Sequence, residues 1–360
     1  MAPPRSPAPA PPPRPGRRRR LLLGGAAALA LVLLPAAPAA ADPPGPTDYR
    51  SEVVRVHPAV EGVRASVAGG DAFLLIEVVR GHTVTVPGYD AGDPEPYLRV
   101  LADGRVQENQ ASVAFAVNQS RDGTGDADTA GGPPRWRTVA TDGRWAWHDH
   151  RIHNMADRAP PAARTDTGLA WEVPLVVDGE PVTVAGRYRL LDGPTPLPWL
   201  GLALVLAAAT VLVARRLPPV TVAGLAVLVA GSAGVVAGVA QRAASPPGAP
   251  TSPLVVVLPA VAAVAGVIAV LQRGRVLRAV AALAGAAAAG GWALVRAAVL
   301  WRAVLPTDLP AGVDRAATAA ALGVAAGAAV VVVRSGALAP PPADIGAQGA
   351  PGPDVHPSTT

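Results

Sequence analysis

The chain has 360 residues, a formal net charge of +5, an apolar fraction of 50% and no cysteine. The missing cysteines exclude disulfides, thiolate nucleophiles, C-x-x-C redox pairs, c-type haem attachment and Cys-based zinc sites. All 31 basic residues are Arg, and they are unevenly spread: six in the first 20 residues, ten from residue 215 onward, and 15 between 42 and 196 against 22 Asp plus Glu, a balance of −7. A net-acidic central segment argues against a nucleic-acid partner, and it suits cations or plain solvent.

The leader comes first. Arg17 to Arg20 precede an apolar run over 21–34, and small residues lead to Ala41-Asp42. A charged n-region, a short apolar h-region and small residues before the junction predict a secretory signal, residues 1–41, cleaved after Ala41. If uncleaved, the leader becomes one more span and the next segment still faces outward.

Residues 42–196 predict an all-β external domain. Strand-like runs fall at 62–67, 73–79, 83–86, 97–101, 105–108, 112–117, 136–140, 144–150, 170–177 and 181–190, with no convincing amphipathic helix among them. Asp103-Gly104, Asp142-Gly143 and Asp178-Gly179 sit between runs and predict tight turns. Short strands at this spacing predict a β-sandwich; an immunoglobulin-like topology is left open, since the Cys–Trp–Cys hallmark is absent. The loop Asp122-Gly-Thr-Gly-Asp-Ala-Asp128 invites comparison with a calcium loop. Ala130 stands at a ligand position and Arg137 replaces the closing Glu, so it reads as a flexible acidic loop.

One cluster stands out, Trp145-Ala-Trp-His-Asp-His-Arg-Ile-His-Asn-Met155. If the 144–150 strand runs through it, His148 and His150 share a face and their imidazoles converge. His153 and Met155 follow where the chain can fold back. Imidazole with thioether suits copper, and imidazole alone also suits zinc, so copper ranks ahead of zinc as cofactor. The competing reading places Trp145 and Trp147 in the core and makes the His, Asp and Arg groups a hydrogen-bonded rim that fixes a loop. No G-x-S-x-G, P-loop or H-E-x-x-H occurs, and no acid–base pair is singled out. No catalytic residue is assigned and a non-enzymatic role is expected.

From 197 to 334 the chain predicts an all-α bundle of about five transmembrane helices, at 197–214, 219–240, 253–271, 279–300 and 314–333. With the β domain outside, Arg215, Arg216, Arg273, Arg275, Arg278 and Arg334 fall in the cytoplasm, and Arg242, Arg302 and Arg315 fall outside. Six against three follows the positive-inside rule. The spans are read as free of Asp, Glu and His. Arg296 is taken as the one charge within them, snorkelling to the outer interface beside Trp292 and Trp301. That reading speaks against a transporter, a proton pump or a haem-carrying bundle. Glycine pairs Gly234–Gly238 and Gly323–Gly327 allow close helix packing. The Pro/Gly-rich end, 335–360, predicts a disordered cytoplasmic tail.

Three runs, Gly88-Tyr-Asp90, Glu95-Pro-Tyr-Leu-Arg-Val100 and Trp147-His-Asp-His-Arg-Ile-His153, resemble those of a group of uncharacterised actinobacterial exported membrane proteins. The resemblance covers mainly residues 75–190. It implies the same plan of signal, β-rich external domain and hydrophobic C-terminal region, and it brings no established activity. Asn154, where an aromatic often follows the last His, and the longer stretch 91–94 depart from that pattern. The expectation is a multi-pass protein of the bacterial cytoplasmic membrane, N-terminal domain outside. Its partners are the lipid bilayer and another envelope protein, and its role is that of an envelope accessory or interaction protein. The alternative is extracytoplasmic metal handling through His148, His150, His153 and Met155.

Overall fold

The computed structural model describes residues 44–89, 96–118, 132–153 and 158–339. The signal segment 1–41, the 91–94 stretch, the acidic loop 122–128, Met155 and the tail from 340 lie outside the described residues.

The first half forms two antiparallel sheets. Seven strands make one, in the order β1 (Tyr49–His57), β10 (Glu180–Leu190), β9 (Leu169–Val177), β4 (Val84–Val86), β5 (Leu98–Val100), β6 (Val106–Asn109) and β7 (Trp136–Ala140). The other holds β2 (Val63–Ala68), β3 (Phe73–Val78) and β8 (Arg144–Trp147). Period-two patterning drives this arrangement: β9 alternates buried Trp171, Val173, Leu175 and Val177 with exposed neighbours, and β10 alternates buried and half-buried residues from Val182 to Tyr188. Both sheets feed one apolar core that includes Leu74, Ile76, Val84, Leu98, Val106 and Val184. The β9–β10 hairpin turns at Asp178-Gly179, both with positive φ, the requirement of a two-residue type I′ turn. The seven-plus-three division differs from the four-plus-three of immunoglobulin constant domains.

Three sequence expectations need correction. β1 was not anticipated, because its mixed charges and half-exposed pattern belong to an edge strand, with an irregular register between Val53 and Arg55. The run 112–117 is not a strand. Val113–Val117 forms a short helix, α1, because Ser112 Oγ accepts the Phe115 N–H at 3.1 Å as an N-cap. The 144–150 strand ends at Trp147, and the chain turns there, with the Ile152 N–H on the Asp149 carbonyl at 3.2 Å.

The second half forms five helices: α2 (Leu197–Val213), α3 (Pro219–Ala243), α4 (Leu254–Leu271), α5 (Arg275–Val295) and α6 (Ala311–Arg334). The last four are long and apolar enough to cross a membrane; α2, with 17 residues, is shorter. Large side chains such as Leu204, Val229, Leu271 and Leu294 point outward, while the interior is built mostly of Ala with Gly between the helices. Helices in lipid associate this way, through small residues that let backbones approach. The anticipated glycine pairs do this: a Cβ on Gly238 would stand 2.1 Å from the Val255 carbonyl oxygen, and one on Gly323 2.1 Å from that of Ala203.

The reading of acid-free spans fails at Asp314, near the start of α6. Arg296, the C-cap of α5, is buried rather than snorkelling: its Nη2 meets Asp314 Oδ1 at 2.6 Å, and its Nη1 donates to Gln241 Oε1. In an apolar bundle a guanidinium that finds a carboxylate has no reason to reach for the surface.

The β domain is seated on one end of the bundle. Thr47 and Val304 exchange backbone hydrogen bonds at 3.0 and 2.8 Å, and Asp48 binds Arg302 Nη1 at 2.6 Å and the Ala303 N–H at 2.9 Å. On another side the Ala146 N–H reaches the Pro247 carbonyl at 3.2 Å. Replacing Gly323 with Leu is expected to force α2 from α6 and cost about 1–3 kcal/mol, read as a lowered unfolding midpoint of the detergent-solubilised protein, while Gly291→Ala, where a Cβ meets open space, leaves it within error.

Candidate metal centre

The turn after β8 gathers the cluster singled out in the sequence. Asp149 is its anchor. Fully buried, its carboxylate accepts from Trp147 Nε1 at 2.8 Å, from the Arg151 backbone N–H at 3.0 Å, and from Arg151 Nε and Nη2 at 2.9 and 2.7 Å. Burial alone would push its pKa up; the hydrogen bonds and charge of Arg151, with Trp147, outweigh it and hold the carboxyl below its ordinary value. Arg151 in turn lies over the Tyr89 ring at 4.9 Å. The Tyr89 hydroxyl donates to Asn118 Oδ1 and accepts the His150 N–H at 3.0 Å. Burial, then the Asp149 charge, raise the Tyr89 pKa well above the usual phenol range, so the hydroxyl stays protonated.

With the turn fixed, three imidazoles converge. Ring centroids lie 5.1 Å apart for His148 and His150, 4.5 Å for His148 and His153, and 5.1 Å for His150 and His153. One ring nitrogen from each falls within 4.8 Å of the others. His148 and His153 are buried and His150 is half-buried. The convergence comes from the turn and not from alternation along a strand, which is the correction the early end of β8 imposes. Met155, the fourth ligand foreseen, lies outside the described residues.

His148 carries a further constraint. Its Nδ1 is 2.6 Å from the Ala72 carbonyl oxygen. A carbonyl only accepts, so Nδ1 bears the proton and Nε2 the lone pair, the tautomer a metal needs. In a tetrahedral site with bonds of roughly 2.0–2.1 Å the nitrogens would sit roughly 3.3 Å apart. Three neutral imidazoles suit copper or zinc.

The hydrogen-bonded rim is present too: Asp149, Arg151, Trp147 and Tyr89 hold the loop, and the histidines ride on it. Tyr89, Tyr97 and Trp147–His153 come from three separate stretches of the chain and meet here, with the Tyr97 and Trp147 rings 6.2 Å apart. Sequence reasoning missed Asn118 and Glu108, which carry no local signal. Glu108 accepts from Tyr97 OH at 3.0 Å and Trp145 Nε1 at 2.9 Å, and burial raises its pKa.

Asp149→Ala leaves the Arg151 charge without its buried partner and is expected to cost about 3–5 kcal/mol, read from unfolding followed by tryptophan emission. Because the folded Asp149 pKa is depressed, its contribution is present above the unfolded carboxylate pKa and lost as pH falls through the folded one. Acid unfolding of the variant is therefore expected to show less pH dependence in that window than the parent.

Comparisons with protein-family models, with curated proteins and with solved structures find no match for this chain.

Proposed function

We propose that this chain is a non-enzymatic protein of the bacterial cytoplasmic membrane that displays a β-sandwich on the outer side and binds one transition-metal ion there, copper ahead of zinc. His148, His150 and His153 are the ligands and Met155 is the candidate fourth. The convergence of three imidazoles on one point, one of them locked in the ligating tautomer, carries the reading.

The charge pattern supports the orientation. The β domain sits at the bundle end that carries Arg242, Arg302 and Arg315. Arg215, Arg216, Arg273, Arg275 and Arg334 lie at the other end, where Arg275 Nη2 reaches the Gly336 carbonyl at 2.6 Å. The positive-inside rule puts that end in the cytoplasm.

Two measurements test this. Full-length protein in neutral detergent is expected to bind one Cu(I) or Zn(II) per chain by calorimetry, and the His148→Ala/His150→Ala variant to lose the ion while still folding, with a midpoint lowered by the lost His148–Ala72 hydrogen bond. A variant that is less stable, from a parent that binds nothing, would assign the rings to architecture. For topology, the native lack of cysteine makes single replacements clean reporters. A membrane-impermeant maleimide added to intact cells is expected to label Thr165→Cys and spare Gln272→Cys; the reverse pattern would invert the orientation.

A further inference from the structure

A second site lies where the β domain meets the ends of three helices. A cavity of about 180 Å³ opens there, bounded by Arg242 in the last turn of α3, Thr251 and Ser252 of the α3–α4 connection, and Arg296 at the end of α5. Pro44 to Pro46, the stretch that leads into β1, line it from the β domain. The volume is several-fold the roughly 30 Å³ share of one water.

The charge around this cavity is positive. No Asp or Glu is among the described residues that line it. Arg296 is 5% exposed and pairs with Asp314, which is not a lining residue. That one carboxylate also stands in the field of Arg315, a buried guanidinium whose donors go to the neutral carbonyls of Val299 and Arg302. One acid shared by two guanidiniums leaves a positive balance, and Arg242 adds to it, since it makes no ion pair among the described residues. Arg302 does not change the sum, because Asp48 answers it. Excess positive charge beside an apolar bundle favours an anion. Ser252 Oγ accepts the Leu254 N–H at 3.4 Å, which leaves its own O–H to donate. The remaining wall is apolar: Val255, Val295 and Val299 line it, and Val295 is 69% exposed on the flank that a membrane-spanning bundle turns to hydrocarbon.

We propose that this cavity holds the phosphate group of a membrane phospholipid, with Arg242 and Ser252 as its ligands, the positive field of Arg296 and Arg315 behind them, and the acyl chains running down past Val295. Guanidinium groups match phosphate oxygens in geometry as well as charge, and basic pockets between helix ends are where headgroups are recognised. The site rests on the membrane placement of the helices and is independent of the metal reading. Because Pro44 to Pro46 come from the β domain, the bound headgroup would touch both halves of the chain.

The test uses full-length protein recovered from the membrane fraction, a recovery that checks the placement of the helices separately, then delipidated in a maltoside detergent. Native mass spectrometry follows binding of dioleoylphosphatidylglycerol, with dioleoylglycerol, the same chains without phosphate, as control. One phosphatidylglycerol per chain is expected to bind saturably and dioleoylglycerol far more weakly. Arg242→Ala is expected to weaken the phospholipid by about tenfold or more, equivalent to about 1.4 kcal/mol, and Arg215→Ala/Arg216→Ala, at the other end of the bundle, to leave its affinity unchanged. Arg242 is the residue to replace, since loss of Arg296 would strand Asp314. A phospholipid held no better than dioleoylglycerol, a folded Arg242→Ala variant that binds like the parent, or an equal loss from the Arg215/Arg216 change would each overturn the proposal. Displacement by excess inorganic phosphate would overturn the lipid as the source of the phosphate. If Arg242→Ala fails to fold, the contrast between the two lipids on the parent protein decides.

Discussion

A buried carboxylate organises the turn that carries the histidines of this protein. Asp149 has no solvent to fall back on, so every lone pair it satisfies must be met by a donor brought to it, and it draws Trp147 from the strand behind and Arg151 from the turn ahead. That demand decides where β8 stops and how the next residues curl. Arg151 then stacks on Tyr89, whose hydroxyl takes the backbone N–H of His150, so a second chain segment is locked by the same charge. The histidines converge on the turn these contacts hold. In this sense the rim and the candidate metal centre are not rivals: one is the mount of the other.

The helical half obeys the opposite logic. Its large side chains face away from the interior, and Ala and Gly fill the inside, which would be a failed core in water and is an ordinary one in hydrocarbon. One exception among the described residues is Arg296 with Asp314, closed by Gln241 from a third helix. A polar contact of this kind in a bundle of small residues acts as a register pin, since sliding any of the three helices by a turn would strand a charge.

Much of this was legible in sequence because it is periodic. The alternation of β9 and β10, the turn at Asp178-Gly179 and the long apolar runs name their own structures. What was missed is non-local or disguised. β1 is an edge strand whose charges hide its alternation, and 112–117 is β-branched at its ends but capped by Ser112, so a local hydrogen bond overrides the pattern. Arg296 finds its acid 18 residues away on another helix, which no window centred on either span would pair. The histidine grouping was visible as spacing, but for a mistaken reason: a strand that ends at Trp147 cannot align His148 with His150. Glu108 and Asn118 reach their places through pairing and a short helix, and nothing beside them in the chain announces it.

The seating of the β domain on the bundle has a geometric consequence. Asp48 grips Arg302, the Arg302 carbonyl accepts from Arg315 Nη2 at 2.8 Å, and Arg315 Nε holds the Val299 carbonyl at 3.1 Å. Together with the backbone exchange at Thr47 and Val304 and the contact at Pro247, this makes two footings on separate inter-helix connections. A head held at two points cannot swivel as one on a single tether does. Its height and heading above the helix ends are set, and so is the direction in which the three histidines look out.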